Sequence, residues 1–92
     1  MGVVQISVIT LYPDIPYKLD TKLTMTVLSI VEEWVEPNRT SVMFITLRMQ
    51  TPENDMQVHV TSEEPILNWM GYKFKYLGGW REEVRLQRIE ID

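Results

Sequence analysis

The run Tyr72-Lys73-Phe74-Lys75-Tyr76 alternates aromatic and basic side chains with a strict two-residue period. An extended strand with one buried and one wet face uses that period, whereas a helix would set Phe74 on the opposite side from Tyr72 and Tyr76. The run ends at Gly78-Gly79, a pair that takes positive φ without steric cost and so suits a tight reversal. Residues Val84 to Ile91 are again extended in character, which predicts a closing hairpin. Within that last strand Val84 and Leu86 share one face while Ile89 and Ile91 share the other, so a bulge is expected near Gln87-Arg88.

The same reading extends upstream. Met43, Ile45, Leu47 and Met49 alternate with Phe44, Thr46 and Arg48, and Met56, Val58 and Val60 alternate with Gln57, His59 and Thr61. Between them Thr51-Pro52-Glu53-Asn54-Asp55 has turn chemistry, with proline fixing its own φ and short polar side chains bonding back to the backbone. A second hairpin is expected there. Near the start Val4, Ile6 and Val8 alternate, and the prolines of Tyr12-Pro13-Asp14-Ile15-Pro16 end the strand near Leu11.

Residues 28 to 36 fit two descriptions. Leu28, Val31, Trp34 and Val35 make a helical stripe with Glu32, Glu33 and Glu36 outside it, and Pro37 would stop such a helix. Just upstream, however, Leu23, Met25 and Val27 alternate with Thr24 and Thr26, and β-branched threonine suits a strand. The expectation is strand to about residue 28, followed by either a short helix over 29–36 or more strand. Trp34 and Trp69 are expected in the core or at its rim, because tryptophan supplies large burial in a small domain.

Laying Ile9, Leu11, Pro16, Leu23, Met25, Val27 and Leu28 over Val58, Val60, Pro65, Tyr72, Phe74, Tyr76 and Leu77 gives one constant shift, 49 positions from Ile9 to Val58. Both copies read strand, proline-containing break, strand, as two related halves of a sandwich or small barrel would. The fold class is therefore mainly β, a small antiparallel β-sandwich or barrel of about six or seven strands. Residues 1–92 form a single domain, because the length leaves no room for a second core.

Composition limits what such a domain does. The apolar fraction of 45% supports a folded core, and thirteen acidic against nine basic side chains disfavour a phosphate backbone as partner. There is no cysteine, hence no thiolate nucleophile and no sulfur-rich zinc site. The only histidine, His59, falls on the outward face of its strand without a companion ligand. Neighbouring carboxylates such as Glu32-Glu33 and Glu82-Glu83 point to opposite faces of a strand and make poor acid and base pairs. No enzyme activity, metal or cofactor is therefore expected. With neither a basic leader nor a long apolar run at its start, the chain reads as cytoplasmic and without a membrane span.

Binding or assembly remains. Trp80 directly follows the glycine turn and neighbours Arg81, a pairing typical of interface hot spots, and Glu32, Glu33 and Glu36 form an acidic contact candidate. The first expectation is a non-catalytic protein-binding or self-assembling module, with a protein or a second copy as partner. A second is a small barrel of the OB type that tracks single-stranded nucleic acid with Lys73, Lys75, Arg81 and Arg85, since residues 70–92 hold five basic against four acidic side chains. A third follows from a resemblance. Val31-Glu32-Glu33, Thr61-Ser62 and Pro65 are similar to phage-encoded uracil-DNA glycosylase inhibitors, which implies an acidic protein occupying a partner's nucleic-acid site.

Overall fold

The computed structural model describes residues 5–36, 40–79 and 82–90. They form eight strands: β1 (Gln5–Leu11), β2 (Tyr17–Lys18), β3 (Thr24–Val35), β4 (Thr40–Gln50), β5 (Asp55–Thr61), β6 (Ile66–Trp69), β7 (Tyr72–Gly78) and β8 (Val84–Glu90). Two antiparallel four-stranded sheets, ordered β1-β8-β7-β6 and β2-β3-β4-β5, pack face to face. No strand belongs to both, so the fold is a sandwich rather than a closed barrel. The described residues include no helix long and apolar enough to cross a membrane.

The alternation seen in the sequence fills the space between the sheets. Ile9, Leu11, Val84, Leu86, Phe74, Tyr76, Leu67 and Trp69 face inward from one sheet, and Met25, Val27, Ile45, Leu47, Met49 and Val60 from the other. Phe74 lies at the centre with no exposed surface. Both expected hairpins are present. β4 and β5 pair from Phe44↔Thr61 to Gln50↔Asp55, and the backbone N–H of Asn54 donates to the Thr51 hydroxyl at 3.0 Å to lock the turn. β7 and β8 join through Gly78 and Gly79, with φ of 110° and 149°. A Cβ on Gly79 would collide with the backbone carbonyl of Glu83.

Strand pairing settles the segment after residue 28 and corrects the expectation for β8. Residues 29–35 are strand, not helix, because Ser29 through Val35 pair in unbroken register with Thr46 through Thr40. Cross-strand partners distant in sequence decide such a segment, and its helical spacing does not. β8 has no bulge at Gln87-Arg88, since β1 pairs with it continuously from Leu11↔Val84 to Gln5↔Glu90. Arg88 instead continues the inward face and lays its guanidinium 5.5 Å from the Tyr72 ring centroid, closing the core edge with a long amphipathic side chain. In β1 the inward residues are Ile9 and Leu11, and Val8 is 60% exposed. In β5 Val60 is buried, and Met56, opposite inward Met49, shares its face at the open end of the sandwich, 54% exposed with its sulfur against the Trp69 indole.

The topology carries the repeat further than the sequence does. Mapping β1, β2, β3 and β4 onto β5, β6, β7 and β8 turns the order β1-β8-β7-β6 into β5-β4-β3-β2, which is the other sheet. The irregularities also coincide. β3 bulges between Val27 and Ser29, and β7 between Tyr76 and Gly78, so Leu28 and Leu77 occupy equivalent positions. Beyond that point the halves differ. β7 reverses at once through its glycines, whereas β3 runs on to Val35 before β4 returns from Thr40. The β3–β4 hairpin is thus an arm added to one half of a two-fold scaffold.

Candidate functional site

β5 stops pairing with β4 at Phe44↔Thr61, and β2 touches β3 only at Thr24 and Met25. Beyond Met43, whose backbone still bonds Ser62, the outer arm is a ribbon of two strands without lateral cover among the described residues. Val31, Val35 and Phe44 stand exposed on one of its faces around buried Val42, their positions aligned by the pairs Val31↔Phe44 and Glu33↔Val42. Trp34 projects from the other face, paired with Ser41 and 67% exposed. The expectation of Trp34 in the core fails because, among the described residues, the opposite sheet has no strand to cover the arm. Trp69, by contrast, is buried, and its indole N–H meets the Met56 sulfur at 3.4 Å.

The acidic candidates gather at the same tip. Glu32 and Glu33 are exposed on opposite faces of β3, and Glu36 is exposed in the turn that follows. The described carboxylates as a whole are not collected on one face: Asp20 is bound in a turn, Asp55 pairs with Arg48 and Glu83 with Arg85. Trp80 and Arg81 lie outside the described residues. Lys73, Lys75 and Arg85 share the outward face of the β1-β8-β7-β6 sheet, where Lys75 pairs with Ile66 and Gln87. The Arg85 guanidinium is 3.0 Å from the Glu83 carboxylate. The rings of Phe74 and Tyr76 point into the core, so this basic face has no stacking platform among the described residues.

A cleft that sequence reading missed lies at the other end of the sandwich. It encloses about 430 Å³ and is lined chiefly by Lys22, Pro52, Glu53, Met70, Tyr72 and Arg88. Its floor is ordered by Asp20. One carboxylate oxygen accepts the backbone N–H groups of Lys22 and Leu23, both at 2.8 Å, and the other accepts the Tyr72 hydroxyl at 2.9 Å. The N–H bonds from Leu23 and Lys22 hold the Asp20 carboxyl below its ordinary pKa, with Tyr72 and the Arg88 charge assisting. Burial, then the bond to Asp20, pushes the Tyr72 hydroxyl up. A second hollow, about 530 Å³, opens on the far side of the Met70-Gly71 turn beside Asn68, Lys73 and Ile89.

Met70 separates the two hollows and breaks a local rule. Trp69 pairs with Tyr72, so Met70-Gly71 is a two-residue hairpin loop, with φ of 50° and 84°. Such left-handed loops favour Asn-Gly, and a long side chain at the first position is strained. Met70 is also 61% exposed, so packing does not compensate for the strain. Replacing it by asparagine is expected to stabilise the fold by about 0.5–1 kcal/mol, read as a higher urea midpoint at unchanged slope. A lower midpoint would show that the methionine is held in place by the fold.

Among the described residues no cluster of three or more metal-ligating side chains occurs. The signal that would have exposed the arm was present in the sequence. Under the 49-residue shift the halves agree up to Leu28 and Leu77, after which one copy meets glycine and the other continues. No family model, curated protein or solved structure matches this chain significantly.

Proposed function

We propose that this protein is a non-catalytic β module that binds a protein, or assembles with itself, through the β3–β4 arm. The observation that carries the reading is Trp34, 67% exposed on a ribbon that extends past the point where the equivalent β7–β8 hairpin closes. Although the arm buries Val42, it leaves Val31, Trp34 and Val35 with 45%, 67% and 42% of their surface exposed. Exposed aromatic and apolar side chains with charged neighbours have the composition of an interface centre and rim.

The basic face formed by Lys73, Lys75 and Arg85 offers phosphate contacts without a ring to stack bases, which favours the arm over a nucleic-acid site. Glu32 and Glu33 on opposite faces likewise suit a rim around apolar contacts better than a continuous acidic surface that imitates nucleic acid.

The test is association measured with the whole chain and with the variant Val31→Ser/Trp34→Ala. Self-association by light scattering, or stoichiometric capture of one protein from a cell extract, is expected for the unaltered chain. The variant is expected to weaken it about thirtyfold, the loss that corresponds to a ~2 kcal/mol hot spot. A chain that stays monomeric and captures nothing, or a variant that binds as the parent does, would overturn the proposal.

A further inference from the structure

The chain has six methionines and no cysteine, so no thiol competes with its thioethers for a peroxide. The fold sorts those thioethers by access. Met25 and Met49 have no exposed surface, and Met43 packs half-buried against the core. Met56 and Met70 are 54% and 61% exposed, the two described methionines that stand open to solvent.

Both adjoin one tryptophan, the first in space and the second in the chain. Trp69 donates its indole N–H to the Met56 sulfur at 3.4 Å, and Met70 follows Trp69 as the first residue of the β6–β7 loop. Met56 also lies opposite Met49 in the β4–β5 pair, near the end of β4 away from the arm. An open and a shielded thioether are therefore direct neighbours, with the same chemistry and different access.

The oxidised product suits its surroundings at the two open positions. A thioether sulfur is a weak acceptor, whereas a sulfoxide presents a polar oxygen. Oxygen added to the Met56 sulfur replaces an N–H···S contact by an N–H···O bond, so the Trp69 indole is better satisfied after the reaction than before. At Met70 the new oxygen stands in water, on the wall of the Lys22–Tyr72 cleft, and turns an apolar group there into a polar one. Oxidation of Met25 or Met49 would instead force a polar group into the dry space between the sheets.

We infer that Met56 and Met70 form a site of reversible oxidation by hydrogen peroxide, registered at Trp69. In each reaction a sulfur lone pair attacks one peroxide oxygen, and the S–O bond forms as the O–O bond breaks. Sulfur gives up two electrons; the hydroxide that leaves takes the proton of the transferred oxygen and departs as water. A sulfoxide reductase and two thiols reverse the change: the oxygen leaves as water, and the thiols are oxidised to a disulfide.

The experiment treats the full chain with hydrogen peroxide and follows each methionine by peptide mass mapping. In the folded chain Met56 and Met70 are expected to gain oxygen at least ~10-fold faster than Met25 and Met49, and in concentrated urea all four are expected to react at similar rates. The indole N–H resonance of Trp69 is expected to move downfield as Met56 is oxidised. It should move in Met70→Leu as in the parent and stay in place in Met56→Leu. The near-ultraviolet circular dichroism of the folded core should persist, and the two epimer-specific sulfoxide reductases with dithiothreitol should restore the Trp69 resonance.

Equal rates at Met49 and Met56 in the folded chain would overturn the inference. A Trp69 resonance that stays unmoved with Met56 fully oxidised would do the same, as would a core that unfolds on oxidation of Met56 and Met70 or a sulfoxide that the reductases leave in place.

Discussion

Replacing Phe74 by alanine is expected to lower the unfolding free energy by about 3–5 kcal/mol, the usual cost of emptying the place of a buried aromatic ring. A chain of this length has a total of roughly 5–14 kcal/mol, so the variant should be poorly folded at moderate temperature. The ring has no exposed surface and sits midway along β7. It stacks on Tyr72 with centroids 6.3 Å apart, so its loss also loosens the floor of the cleft. Urea unfolding followed by near-ultraviolet circular dichroism measures the change. The paired control is Leu77→Ala, one strand position past inward Tyr76 and exposed, where a change within about 0.5 kcal/mol is expected. Equal losses at the two positions would contradict the assignment of inward and outward faces.

The second large effect concerns Asp20. Its carboxylate gathers two backbone N–H groups and the Tyr72 hydroxyl, and so ties the β2–β3 turn of one sheet to β7 of the other. Alanine there removes all three acceptor contacts at once. The expected loss is about 1–2 kcal/mol, at the low end for three bonds because the turn is open to water, which replaces part of what is removed.

The pH dependence has a definite sign. Those hydrogen bonds depress the folded-state pKa of Asp20 below its ordinary value of 3.8. The stabilisation is therefore fully present above the unfolded-state pKa and is lost as pH falls through the depressed one. Asp55, held low by its bond to Arg48, acts in the same direction. Asp20→Asn keeps the shape and removes the charge, so the difference in urea midpoint between parent and variant should shrink as the pH is lowered below about 4. A difference that stays constant down to pH 2 would show that ionisation of Asp20 does not matter to the fold.

Much of this architecture was legible in the chain itself. Alternation placed Phe74, Tyr76, Ile45, Leu47, Met49 and Val60 on inward faces, and Gly78-Gly79 and Thr51–Asp55 marked the two hairpin turns, because both signals act locally. The arm was not legible in the same way. Leu28, Val31, Trp34 and Val35 are spaced as on a helix, and the register that makes them strand comes from Thr40 through Thr46. A ribbon that carries exposed apolar side chains on both faces also has no reason to alternate, so the exposure of Trp34 left no pattern. The cleft was hidden for a different reason: Lys22, Pro52, Met70 and Arg88 come from four separate segments that only the packing of the sheets brings together. Arg88 misled the reading of β8, since a cationic side chain closing the core edge looks in sequence like a residue on the wet face.

The reading of the arm as docking element is tested most directly by ¹⁹F NMR of the chain labelled with 5-fluorotryptophan, with resonances assigned by conservative replacement. The account predicts that Trp34 shows the H₂O/D₂O isotope shift of a hydrated ring at low concentration. It should then lose that shift and move or broaden as the protein associates, while buried Trp69 stays fixed. A Trp34 resonance that remains hydrated and unmoved while the protein associates or binds would contradict it.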